Sequence, residues 1–164
     1  MEYGKYCDIA DDFRHGENFK CGSFVKIEKD VVVGDNVTIE NYVLLKQGTR
    51  IGNNVFVDSY FRSSGNNKIG NNVTLRFGST IAREVTVEDD VFISPNVMTV
   101  YSRHTGEKVG GTVIGAGTHV GTAAVIGPGV KIVPHTTIGA QAYVSKDITE
   151  AGVYVGVPAV KKGS

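Results

Sequence analysis

The side chains with reactive chemistry to offer are few: the histidines His15, His104, His119 and His135, and the thiols Cys7 and Cys21. A histidine titrates near neutral pH, so it suits proton transfer to or from a reacting hydroxyl or amine. Three histidines that converge would suit a tetrahedral zinc site. Two cysteines are too few for a disulfide framework, and they read as buried thiols of a reducing compartment. Which histidine is free to act depends on a repeat that runs through almost the whole chain.

From Ile9 on, every sixth residue is an inward candidate: Ile9, His15, Cys21, Ile27 and onward to Ile93, then Ile114 to Val144 after one interruption. Of these 21 positions, 18 are Ile, Val or Leu. A period of six fits neither a helix, at about 3.6, nor a simple strand, at about 2. It marks a hexapeptide-repeat parallel β-helix, all-β and left-handed, with short strands joined by tight turns. Three positions after each inward residue the chain carries Gly, Asn or Asp at 14 of 21 sites, among them Asn18, Asn36, Gly48, Asn54, Asn72 and Gly129. Those residues tolerate positive φ best, which predicts a turn in every hexad.

Residues 9–98 form 15 hexads and residues 114–149 six more. At three hexads per coil that predicts about seven coils, spanning 9–149. Residues 1–8 are read as an N-terminal cap and 150–164 as a C-terminal tail. Between the two blocks, residues 99–113 leave the register as one extended loop. A loop of that length in an otherwise regular solenoid points to function.

The register sorts the histidines. His15 takes an inward position near one end of the prism. His135 takes the turn position, where left-handed conformation favours it. His119 points outward beside the loop junction. His104 alone lies in the loop. They occupy unrelated positions with no close pair, which argues against a metal site. Hexads 57–68 are irregular: Phe61 replaces a small residue and Ser63 an inward aliphatic, which reads as a local bulge, with Tyr60 and Arg62 at an acceptor mouth as the other reading. The position after each inward-flanking glycine is polar before the loop (Asp35, Gln47, Asn53, Asn71) and small after it (Ala116, Thr122, Pro128, Pro134, Ala140). Small residues along one edge would let an extended ligand approach the backbone.

Composition bounds the rest. Lys plus Arg equals Asp plus Glu at 17 each, which gives no electrostatic case for nucleic acid. No apolar run of membrane length and no N-terminal apolar segment of a secretory signal is seen, so the chain reads as cytoplasmic.

The stretch ISPNVMTVYSRH (93–104) resembles the segment of galactoside, maltose and xenobiotic acetyltransferases that ends in their catalytic histidine. Val97 precedes His104 by seven residues, as a hexad valine does there. IGAQAYVSKDITEAGVYVGVPA resembles that family's closing signature, and VTVEDDVFISP (85–95) is similar to nucleotide-sugar N-acetyltransferases. The resemblance to these hexapeptide acyltransferases implies acetyl-CoA as co-substrate, no metal, and a sugar or nucleotide-linked amino sugar as acceptor. It implies His104 as general base and a homotrimer with active sites between prisms. It implies CoA contacts at Thr122, Gly139, Ala140, Ser145 and Lys146, with Lys161 and Lys162 toward the 3′-phosphate. Arg83, Tyr101 and Arg103 are the acceptor-side candidates. Two departures stand out: Thr118-His119-Val120-Gly121 replaces the Val-Trp-Ile-Gly of galactoside-type enzymes, and Gly78 falls where one nucleotide-sugar group has an important asparagine. A γ-carbonic-anhydrase-like metalloprotein and a non-catalytic scaffold are the alternative readings.

Overall fold

A computed structural model describes residues 3–163; Met1 and Glu2 of the expected cap and Ser164 of the expected tail lie outside the described residues. Two-residue strands recur every six residues from Asp8–Ile9 to Met98–Thr99 and again from Val113–Ile114 to Tyr143–Val144, and they stack into three parallel sheets. The first face runs from Asp8–Ile9 through Leu44–Leu45 and Met98–Thr99 to Tyr143–Val144. The second runs from Arg14–His15 to Lys131–Ile132. The third runs from Lys20–Cys21 to Thr137–Ile138 and is extended by the tail. This is the left-handed parallel β-helix that the hexad predicts.

In each strand the second residue turns inward and the first outward, as strand geometry requires. Ile27, Leu45, Ile81, Ile93, Ile114, Ile126 and Ile138 are essentially inaccessible, and Val31, Val37, Val43, Val91 and Val97 fill the corners between them. Ile9 is partly covered, against the same core. A fully covered aliphatic side chain of this size contributes roughly 1.5–3 kcal/mol, so the column is the main stabilising feature of the prism.

The turns obey the sequence as well. Positive φ recurs at the predicted position, with values of 55° at Asn36, 57° at Asn54, 56° at Asn72 and 72° at Gly129. His135 is among them at 60°, the turn role expected of it. The three corners differ in what fills that position. The corner from the second face to the third carries Asn18, Asn36, Asn54, Asn72 and Asp90, whose side chains bond one to the next at 2.9–3.3 Å. The corner from the third face to the first carries Tyr6, Phe24, Tyr42 and Tyr60. The third corner, from the first face to the second, bears the inserted loop.

Two expectations are corrected, the bounds of the loop and the bulge at 57–68. The register continues one hexad further than the aliphatic pattern, because Met98–Thr99 is a strand with a buried Thr99 and pairs with Val125–Ile126. The first face stacks eight strands and the second seven, in keeping with the expected count of about seven coils. The loop is correspondingly shorter than 99–113, since Val113–Ile114 already pairs with Lys131–Ile132. Toward the two ends, Asp8 begins the first strand, Tyr3 pairs with Cys21, and Val153–Val155 adds to the third face in parallel with Val160–Lys161 antiparallel on its edge. Hexads 57–68 hold their register instead of bulging, because Arg62–Ser63 pairs on both sides. Ser63 joins a buried polar group in which Asn67 Oδ1 accepts from Ser63 Oγ at 2.6 Å and from the Gly65 N–H at 3.0 Å. Asn67 Nδ2 donates to the Ala82 carbonyl, so the inward amide is satisfied. Phe61, fully covered, fills volume beside the small Ser63.

Candidate active site

The insertion is a short antiparallel hairpin. Ser102 pairs with Lys108, the Val109 N–H donates to the Tyr101 carbonyl at 2.7 Å, and the Arg103 N–H to the Glu107 carbonyl at 2.8 Å. The turn closes with the Gly106 N–H on the Arg103 carbonyl at 2.9 Å, and Gly106 has φ 85°, a conformation favouring glycine. His104 is therefore the second residue of a four-residue turn at the tip, and its side chain is exposed. Arg103 and Glu107 flank it in an exposed ion pair at 3.4 Å.

The base of the hairpin is fixed to the layers above and below. The Gly111 N–H donates to the Glu84 carbonyl at 3.3 Å, and Gly110 carries no side chain where the Glu84 carboxylate lies. Val109 sits over Gly129, whose missing Cβ would stand 2.7 Å from Val109 Cγ1. Tyr101 is half-buried against the core, while Arg83 is exposed on the layer that carries Glu84. Of the acceptor-side candidates, then, Arg103 lies at the tip beside His104, and Tyr101 and Arg83 lie at its base.

The candidate CoA residues fall on two edges. Thr122 and Ala140 occupy successive layers of the corner from the third face to the first, tied by the Gln141 N–H on the Thr122 carbonyl at 2.8 Å. Beside them Gly121 leaves room for the Gly139–Ala140 backbone, and Gly139 for Val155 of the tail hairpin. Ser145 and Lys146 lie at the end of the prism in a groove of about 270 Å³ shared with Tyr154, Pro158 and Ala159. Lys161 is engaged elsewhere: its ammonium meets Glu150 at 2.5 Å, which raises the lysine's pKa and lowers the carboxyl's. Lys162 is exposed next to it, along a second groove with Gly152 and Val153.

The other histidines do not join His104. The His15 ring stacks on Phe19 at 4.9 Å, and its Nδ1 lies 2.8 Å from the Gly16 carbonyl. His135 Nδ1 lies against Gly117 at the asparagine corner. His119 lies flat on Phe92, centroids 5.0 Å apart, with Nε2 at 3.5 Å from Ser94 Oγ. Among the described residues no group of three or more His, Cys, Asp or Glu side chains is arranged to hold a metal. The His119–Phe92–Ser94 cluster escaped the sequence reading because the insertion hides that residues 92 and 119 are neighbours on one face.

No protein-family model matches the chain, and no curated protein sequence does. Solved structures do share its architecture. A histidine-to-asparagine variant of perosamine N-acetyltransferase from Caulobacter crescentus, holding CoA and GDP-perosamine, superposes with a TM-score of 0.62 at 17% identity, over 99% of this chain and 58% of that one. UDP-N-acetylglucosamine O-acyltransferase from Moraxella catarrhalis gives 0.70 at 18%, over 96% and 72%. An aspartate-to-alanine variant of the N-acyltransferase AntD from Bacillus cereus, with dTDP and CoA, gives 0.58 at 16%, over 92% and 83%. The chain spans about 58% of the length of the perosamine enzyme. At these identities the likeness establishes the fold, a hexapeptide β-helix of the kind acyltransferases use.

Proposed function

We propose that the protein is an acetyl-CoA-dependent acyltransferase acting on a hydroxyl or amine of a sugar or nucleotide-linked amino sugar. The observation that carries the reading is the single break in the repeat: a hairpin anchored at both layers that presents His104 to solvent. Its neighbours in fold support the choice of substrates: the perosamine N-acetyltransferase variant holds CoA and GDP-perosamine, and the AntD variant holds CoA and dTDP.

His104 takes the proton of the acceptor O–H or N–H as that atom attacks the thioester carbonyl. The tetrahedral intermediate collapses with loss of the C–S bond, and the proton passes to the CoA sulfur. The small-residue edge at Thr122, Gly139 and Ala140 lets the pantetheine arm lie against the backbone, and Ser145 with Lys146 receives the nucleotide end. Lys162 is the better partner for the 3′-phosphate, because Lys161 already neutralises Glu150. Tyr101, Arg83 and Arg103 border the acceptor. A homotrimer in the cytoplasm, where acetyl-CoA is made and used, completes the proposal. Among the described residues no helix is long and apolar enough to cross a membrane.

Calorimetry with acetyl-CoA on wild type and His104→Ala, followed by thiol release with a panel of amino- and hydroxy-sugar nucleotides, tests this. Both proteins bind the donor and only the wild type turns over, the variant losing about 10²–10⁴-fold. Absence of donor binding by the wild type would sink the reading.

A further inference from the structure

The corner that carries Thr122 and Ala140 has a different character lower down. Tyr6, Phe24, Tyr42 and Tyr60 hold φ between 57° and 63°, a backbone region that bulky residues rarely occupy. The other two corners meet the same turn chiefly with Asn, Asp and Gly. Four bulky aromatics in succession at this strained position are concentrated on one corner, which points to use. The rings form an exposed column: Phe24 on Tyr42 at 4.8 Å and 3°, Tyr42 on Tyr60 at 4.9 Å and 7°.

The column breaks at its upper end. Gly78 takes the turn position, and the ring comes instead from the preceding residue, Phe77, which meets Tyr60 edge-on at 5.3 Å and 62°. Phe77 is 46% exposed. Two arginines belong to the same part of the corner: Arg76, the residue before Phe77, is held through Nε by Asp58 at 3.1 Å, and Arg62, exposed one layer lower on the first face where it pairs in register with Thr80, has no carboxylate partner among the described residues. In the next two layers of the same corner the positions equivalent to Phe77 are held by Pro95 and then Thr122. Two layers at about 4.8 Å each put Phe77 about 10 Å below Thr122. That is a separation a sugar and its diphosphate can bridge.

We infer that Phe77, Arg62 and Arg76 form the acceptor's nucleoside diphosphate site, with the base stacked on Phe77 and the phosphates between the two arginines. The assignment rests on the acyltransferase reading for its choice of ligand: it places the acceptor on the donor's edge of one prism, and the His104 hairpin, which stands on a different corner, reaches it from a neighbouring protomer of the proposed trimer. An aromatic face takes any base, and a guanidinium fork suits phosphate oxygens.

The test is calorimetry on the full chain with UDP, dTDP and GDP, each with and without CoA, and with CoA alone as a separate titrant. At least one nucleotide binds the wild type. Phe77→Ala weakens it by about tenfold, Arg62→Gln weakens it and flattens its salt dependence, and CoA affinity is unchanged in both, which also certifies their fold. Failure of all three nucleotides to bind the wild type, or unchanged affinity in Phe77→Ala, overturns the assignment. Nucleotide binding lost in Phe77→Ala, in a protein that never binds CoA, would leave the site standing and remove the acyltransferase reading instead.

Discussion

At the asparagine corner the left-handed turn position is filled by Asn18, Asn36, Asn54 and Asn72; at the aromatic corner the same position is filled by Tyr6, Phe24, Tyr42 and Tyr60. The φ values agree within about ten degrees, so the backbones are alike. The asparagines need little explanation. They tolerate positive φ, and each amide bonds the next, as from Asn36 Nδ2 to Asn54 Oδ1 at 3.1 Å. The aromatics run against local preference and are offset by face-to-face stacking, at about 0.5–1.5 kcal/mol per pair. A turn can thus be held either by the residue that suits it or by a column of neighbours that overrules it. Only the second leaves an apolar strip open to a ligand.

Asn54→Val strikes at the first arrangement. A β-branched residue at φ 57° meets the left-handed penalty of about 1–2 kcal/mol and breaks the amide chain toward both Asn36 and Asn72. We expect about 2 kcal/mol of destabilisation, read as a lower denaturant midpoint with unchanged slope. Asn54→Gly should lose far less, and equal losses would mean that the amide chain rather than the backbone matters. Tyr42→Asn probes the second arrangement. It relieves the backbone and removes two stacking contacts, to Phe24 and Tyr60. The terms oppose, so the net loss should be smaller, about 1 kcal/mol. A gain in stability would show that stacking contributes little and that the aromatics are kept for binding alone.

The same contrast explains what was legible in the sequence. Inward aliphatics and turn asparagines announce themselves because local preference and tertiary role coincide there. Thr99 did not, since a threonine in an aliphatic column looks like the end of the repeat, although its hydroxyl accepts the Ala82 N–H at 2.6 Å inside the prism. Asn67 did not either, because an inward amide is permitted only by the particular partners that Gly65 and Ala82 supply. His104 stood out through its place in the one insertion, but the anchoring of that hairpin on Glu84 and Gly129 depends on layers 18 or more residues away in sequence. Tyr60 lay in a hexad that read as irregular, and Phe77 carried no signal at all until stacking of the coils brought the two into one column.

The lower end of the aromatic corner offers the finest test. Here the column stands over two thiols: Cys21 in place of an inward aliphatic, and Cys7 in place of a corner valine. Both sulfurs reach the Gly22 carbonyl, at 3.6 and 3.2 Å. Burial, and then the neighbouring Cys7, push the Cys21 thiol up to about 12, while a backbone bond from Gly4 pulls slightly the other way. The folded chain therefore keeps a proton that the unfolded chain releases near pH 9. Its stabilising contribution is whole below that pH and is lost progressively as pH rises from about 9 toward 12. Cys21→Val, which restores the aliphatic that other coils carry, should leave the melting temperature at pH 7 nearly unchanged and make its decline between pH 9 and pH 11 shallower than in the wild type. All other groups are common to both proteins, so the difference between the two curves isolates the thiol. Parallel curves would mean that Cys21 is open enough to solvent to ionise freely, and that the prism is looser beneath Tyr6 and Phe24 than the stacking above it implies.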